Sequence, residues 1–189
     1  MGSLTGNREN GILQTKEAAD KVAFPFRSSV MSEKQGLLLY LPAIDELDFR
    51  RRLLADPETM SYNHAWGGTI DFPESEWAGW YAHWVLQHRD KRFYRYLKTE
   101  DGTFVGEVAY HFDPKWGGFM ADVIVKSEFR GRGYGKAGLE LLCAAAKMRG
   151  ITVLYDDIAI DNPAIEMFLA AGFFEVARTD KIILLKKDL

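Results

Sequence analysis

The amino-acid sequence predicts an α+β fold, a mixed and mostly antiparallel sheet flanked by helices. Three observations carry this. Apolar and polar residues alternate with period two through 92–113, interrupted by a turn signal, which is the mark of an antiparallel hairpin. A helix-period stretch then separates two further strands, at 118–126 and 151–160, the spacing of one β-loop-α-β crossover. Upstream of that crossover no βα unit repeats, so a doubly wound parallel sheet is not expected.

The elements follow in order. "GLLLYLP", 36–42, reads as a strand stopped by Pro42, and 44–54 place Ile44, Leu47, Leu53 and Leu54 at roughly helical spacing. A second helix is predicted from Glu74, with Trp77, Trp80, Tyr81 and Trp84 on one side. "RFYRYLKT" and "TFVGEVAYHF" form a hairpin about "EDG", and alternation gives Val105, Glu107, Ala109 and His111 one common face. In "GFMADVIVK" the same period groups Met120, Asp122, Ile124 and Lys126. Leu139, Leu142, Cys143 and Ala146 then stand at i, i+3, i+4 and i+7 of a helix ended by Lys147, Arg149 and Gly150. "ITVLYDDIAI" returns as a strand, Asn162 and Pro163 open a short helix that Gly172 ends, and "FFEVA" and "KIILLKK" close the chain as strands. Residues 1–33, poor in large apolar side chains, read as an extension with a short helix in "QTKEAADKVA"; 34–189 read as one domain.

Composition narrows the setting. The chain has 189 residues, 47% of them hydrophobic, enough for one full core and too few for two comfortable ones. A net charge of −3 argues against nucleic-acid binding, which needs a basic face rather than one local basic loop. The single cysteine, Cys143, makes no internal disulfide and is expected as a buried small hydrophobe. Without a leader pattern or an 18-residue apolar run the protein is expected in the cytoplasm, away from membranes, with a homodimer left open. His83 and His88 are badly spaced for a helical metal pair, and no zinc pattern occurs, so no metal is expected.

One loop concentrates glycine and positive charge: "KSEFRGRGYGKAG", 126–138, between a strand and a helix. Such a turn leaves backbone N–H groups unpaired at the helix start, where the dipole favours an anion, and glycines let phosphate oxygens approach. Gly133, Gly135 and Gly138 fit G-x-G-x-x-G with Asp156 and Asp157 about 20 residues on, but seven residues intervene between the strand and Gly133, which a dinucleotide fingerprint does not allow. A P-loop fails because Ala137 follows Lys136.

"RGRGYG", as Arg130-x-x-Gly133-x-Gly135, resembles the pyrophosphate signature [Q/R]-x-x-G-x-[G/A] of the GNAT superfamily of N-acetyltransferases, and "DNPAIEMFLAAGFFEV" resembles that family's second motif. The resemblance covers roughly 36–189. It implies a GNAT-like fold with splayed central strands, acetyl-CoA as co-substrate, and direct acetyl transfer to the primary amine of a small molecule or peptide. It implies pyrophosphate binding by Arg130, Gly131, Arg132, Gly133, Tyr134, Gly135 and Lys136. Backbone groups of Val123, Ile124 and Val125 would bind the thioester and pantetheine arm, and Asn162 and Phe168 would border it. The chemistry also needs a proton acceptor for the amine and a donor for the leaving thiolate. Asp122, set between apolar neighbours, is expected to be desolvated and is the first candidate base, with Glu107 and His111 as alternatives. Where many members carry a donor tyrosine this chain has Phe168, which leaves Tyr155, water, or departure of the thiolate unassisted. The acceptor surface is expected in 60–84, walled by Tyr62, His64, Trp66, Trp77 and Trp84. A non-catalytic acyl-CoA-binding module and a dinucleotide-binding oxidoreductase are the alternatives.

Overall fold

The computed structural model describes residues 31–32, 36–87 and 89–189. The helix expected in "QTKEAADKVA" and His88 lie outside them. Eight strands form one sheet in the order β1-β2-β3-β4-β5-β6-β8-β7: β1 (Met31–Ser32), β2 (Leu37–Tyr40), β3 (Arg92–Thr99), β4 (Phe104–Asp113), β5 (Gly118–Val125), β6 (Val153–Ala159), β7 (Phe174–Arg178) and β8 (Ile182–Asp188). Four helices accompany it: α1 (Leu47–Ala55), α2 (Glu74–Tyr81), α3 (Tyr134–Met148) and α4 (Ala164–Ala170). β1 lies within the stretch read as the extension and pairs Met31 with Leu38.

Every neighbouring pair of strands is antiparallel except β5 and β6. That single parallel pair leaves no place for repeated βα units, and the dinucleotide-binding reading fails on topology. β5 and β6 are paired only through Phe119 with Leu154 and Met120 with Tyr155. Beyond those two rungs β5 runs on against β4, to Val125 opposite Gly106, and β6 runs on against β8, to Ala159 opposite Ile182. The two strands therefore part, and the sheet is split from Ala121 and Asp156 onward.

α3 covers one face of the sheet. Its apolar stripe, Leu139, Leu142, Cys143 and Ala146, is buried as the spacing predicts, against Leu97, Val108, Tyr110 and Leu154. On the opposite face α1, α2 and the segments around them pack Leu47, Leu54, Met60 and Phe72 together. Between the two helices lies a 3₁₀ stretch, Thr59–Trp66, whose sequence has no period to announce it. A π turn, Ala82–Leu86, extends α2.

One expected grouping is corrected. Val105 does not share a face with Glu107, Ala109 and His111. The β3–β4 register shifts at Leu97/Lys98, where Lys98 pairs with Phe104 and Leu97 with Gly106, so Val105 is the extra residue of a bulge. It packs in the α3 cluster instead. Gly106 is required beside it, since a Cβ there would stand 2.2 Å from the Ile124 carbonyl oxygen.

Candidate active site

A cleft of about 1110 Å³ opens where β5 and β6 part. Its mouth is the start of α3. Gly133 precedes the helix at φ 83° and Gly131 stands at φ 72°, left-handed conformations that suit glycine. The first α3 amide to reach back is that of Ala137, which donates to the Gly133 carbonyl at 3.1 Å. The N–H groups of Tyr134, Gly135 and Lys136 are left without an intrahelical partner at the positive end of the dipole. These residues, with Arg130 and Gly131, line the cleft, which continues along Val123, Ile124 and Val125. The cradle fits a pyrophosphate, and the unzipped edge of β5 offers backbone groups to an extended chain.

The basic side chains of the loop divide. Arg130 lines the cleft, but its guanidinium donates to the Glu58 carbonyl at 3.2 Å and to the Thr59 carbonyl, locking the loop to the 3₁₀ stretch. Thr59 is fully buried there; its hydroxyl accepts the Ser127 N–H at 2.9 Å and donates to Asp56. Arg132 lies outside the cleft lining, its guanidinium donating to the Glu128 carbonyl at 3.1 Å. Lys136 is the basic side chain of the loop that lines the cleft without such a tether. Across the mouth, Asn162 accepts the Ala164 N–H at 2.9 Å just ahead of α4, where Pro163 rather than Asn162 is the residue before the helix, and Phe168 is buried edge-on to Phe173. Both line the cleft.

The candidate proton acceptors differ in environment. Glu107 is buried and accepts from Arg50 and from the Tyr94 hydroxyl, the latter at 2.5 Å. Burial alone would depress the Arg50 guanidinium, but Glu107 and Tyr94 outweigh it and raise it above its ordinary value. Arg50 also stands 4.6 Å from the Trp80 ring centroid and 5.3 Å from that of Phe72, so a box of aromatic rings surrounds the ion pair. Asp122 is on the expected face but not desolvated, because its side chain is 52% exposed at the lip of the split. Its Oδ2 lies 3.4 Å from His111 Nδ1. The Asp122 carboxylate raises the His111 imidazole against an opposing desolvation, although Nδ1 is buried without a well-formed hydrogen bond to it. His111 packs edge-on to Trp84.

The desolvated carboxyl is Asp156, the first residue of β6 beyond the paired rungs. It lines the cleft and has no hydrogen-bonded partner among the described residues. Burial raises it well above the usual carboxylate range, and the charges of Asp122 and Asp157 add to this. Asp157 is raised too, first by burial. The signal was present in the sequence: Asp156 alternates with Leu154 and Ile158, the argument applied to Asp122.

Tyr155 is not brought to the site. Its ring lies over Gly118, where a Cβ would come within 2.7 Å of it, at the closed end of the split and outside the cleft lining. Tyr62 is in the lining, and burial, with the charges of Glu107 and Asp122, keeps its phenol protonated far above neutral pH. His64, Trp66 and Trp84 also line the cleft. Trp77 does not; it stacks on Phe72 and donates to the Phe72 carbonyl at 3.2 Å. His64 Nε2 stands 3.3 Å from Asp161 Oδ2, joining the 3₁₀ stretch to the loop before α4. Cys143 is buried under α3, and burial raises its thiol. Among the described residues no group of three or more His, Cys, Asp or Glu could hold a metal ion. No helix among them is long and apolar enough to cross a membrane.

Comparison with known proteins matches this geometry. The chain is 28% identical over 123 residues to an uncharacterized N-acetyltransferase of Methanocaldococcus jannaschii, covering 55% of this chain and 48% of that one. It thus spans about half the length of that relative. Its fold matches the Vibrio cholerae spermidine N-acetyltransferase solved with CoA and spermine, at TM-score 0.65 and 17% identity over 81% of this chain and 95% of that one. It also matches the GNAT domain of S. lividans PAT, at TM-score 0.65 and 20% identity over 81% and 89%. The profile of the Acetyltransferase (GNAT) family matches residues 51–173, well over half of the sequence, and the chain belongs to that family.

Proposed function

We propose that this protein transfers an acetyl group from acetyl-CoA to the primary amine of a cationic acceptor. The observation that carries the reading is Asp156: a desolvated, unpartnered carboxyl inside a cleft whose mouth is a helix start with unpaired N–H groups. Gly131 to Lys136 would hold the pyrophosphate, and Val123 to Val125 the arm beyond it. Bound there, acetyl-CoA supplies an acyl group activated as a thioester.

The chain's own residues divide the remaining work. An amine with a pKa of about 8 to 10.4 arrives protonated at neutral pH and must lose that proton before attacking. Asp156 accepts it, its basicity raised above that of an ordinary carboxylate by burial. Glu107 is not free to do so, since Arg50 and Tyr94 occupy its oxygens. Asp122 and His111 form a second acceptor at the rim. Tyr62, held protonated, is the hydrogen-bond donor that replaces the absent tyrosine of the second motif, a role Phe168 cannot fill.

The acceptor's charge follows from the walls. Asp122, Asp156, Asp157 and Asp161 face the same cleft as Tyr62, Trp66, Trp80 and Trp84. Carboxylates with aromatic faces select an ammonium group. The polyamine in the Vibrio cholerae neighbour is consistent with this class of acceptor. The test is an acceptor series scored by release of free CoA thiol: monoamines, diamines, polyamines, amino acids and a peptide with a free N-terminus. Polycations are expected to turn over fastest. Acetyl-CoA binding without turnover of any acceptor would leave a non-catalytic acyl-CoA-binding module.

A further inference from the structure

Outside the cleft, two guanidinium groups meet on one aromatic ring with a third arginine beside them, and no carboxylate among the described residues pairs with any of the three. Arg95, on β3, places its Cζ 4.7 Å from the ring centroid of Phe93. Arg149, at the end of α3, places its own 4.8 Å from the same centroid. The other partner of that ring is Tyr110, stacked parallel with centroids 5.3 Å apart. Arg89 joins them from the loop before β3, where its carbonyl accepts from Arg149 Nη1 at 3.3 Å. No carboxylate among the described residues forms an ion pair with any of the three; even Asp90, next in sequence to Arg89, makes none. None of them lines the cleft.

Like charges brought together beside a buried ring destabilise one another unless an anion joins them. The arginines show this. Arg95 is pushed down to about 10 by desolvation, then by Arg149 and Arg89. Tyr110, raised by its burial, is drawn back down by Arg149 and Arg95. Arg89 and Arg149 are exposed and Arg95 half-buried, so the cluster is open to solvent on one side. Guanidinium forks match the oxygens of a tetrahedral oxyanion and bind it in pairs, as ammonium groups do not.

We propose that Arg89, Arg95 and Arg149 form a second anion site, separate from the cleft, for a phosphate dianion, either inorganic phosphate or a small phosphate monoester. The chain carries a net charge of −3, and three arginines are too short a track for a nucleic-acid backbone. Arg95 Nη1 also donates to the carbonyl of Tyr94 at 2.7 Å, and Tyr94 bonds Glu107, so the occupied site would adjoin the strand that supports the acceptor pocket.

The experiment is calorimetry on the full chain with one equivalent of coenzyme A filling the helix-start loop. Sodium phosphate is titrated in one arm, glycerol phosphate in a second, and sodium chloride at matched ionic strength in a third. The expected result is one phosphate or monoester per chain with no saturable chloride event; the arm that binds more tightly identifies the source. Arg149→Gln and Arg89→Gln, both at exposed positions, are each expected to weaken that event at least about tenfold, the loss of one charge-assisted pair. Their coenzyme A affinity should be unchanged. No saturable event beyond chloride in the wild type, or wild-type affinity in the Arg89→Gln/Arg149→Gln double variant, overturns the proposal.

Discussion

A carboxyl group desolvated in the wall of a cleft destabilises the fold once it ionises, unless a partner compensates it. Asp156 sits between Leu154 and Ile158 in sequence and has no such partner. Its native pKa is raised above the ordinary value near 3.9, so between those two values the folded chain holds a proton that the unfolded chain has released. Stability therefore falls as pH rises through that window. Asp156→Asn removes the penalty and is expected to raise the melting temperature at pH 7, with the gain shrinking toward pH 4. The same change removes the proton acceptor, and kcat should drop by roughly 10²- to 10⁴-fold. Scanning melts across pH and assaying the same preparation reads both effects; an Asn variant that is no more stable and fully active would remove Asp156 from the mechanism. Alternation alone could not rank it above Asp122. Both carry the period-two signature of an inward carboxyl, and only the parting of β5 and β6 decides which one is half-buried in the cleft wall and which lies on an exposed lip.

At the scale of elements, the start of α3 was readable because its function is written in backbone geometry that glycine alone provides cheaply. Gly133 holds φ 83° at the residue before the helix. Gly133→Ala places an L side chain in the left-handed region, at about 1–2 kcal/mol, and tilts the first-turn N–H groups away from their common target. Acetyl-CoA affinity should fall tenfold or more by calorimetry with the circular dichroism spectrum kept; unchanged affinity would put the phosphates elsewhere. Gly135 tests something different, since a Cβ there meets Met167 Sδ at 2.9 Å and so reports packing of α3 on α4 rather than phosphate approach. Strands and helices with a clear period were legible to within a few residues. The 3₁₀ stretch Thr59–Trp66 and the bulge at Val105 were not, because neither has a period of its own and each is fixed by what it packs against.

Across the whole molecule, the coenzyme half of the site is local in sequence and the acceptor half is not. The two motifs fall within about fifty residues, whereas the acceptor layer is tied to the sheet by Arg50 and Glu107, 57 positions apart, a pairing no spacing rule could reveal. That ion pair, enclosed by Trp80, Phe72 and Tyr94, has to be present whole or absent whole. Glu107→Gln leaves the Arg50 guanidinium buried without its counter-charge and is expected to cost about 3–5 kcal/mol, seen as a large fall in melting temperature. The rate per folded molecule should stay within a few-fold of wild type, because Glu107 is placed as a brace and not as the base. Replacing both members, Arg50→Met with Glu107→Gln, removes the stranded charge and should recover much of the stability. If instead Glu107→Gln melts like the wild type but loses its rate, the brace is dispensable, and the carboxylate is the proton acceptor that its alternation with Ala109 and His111 first suggested.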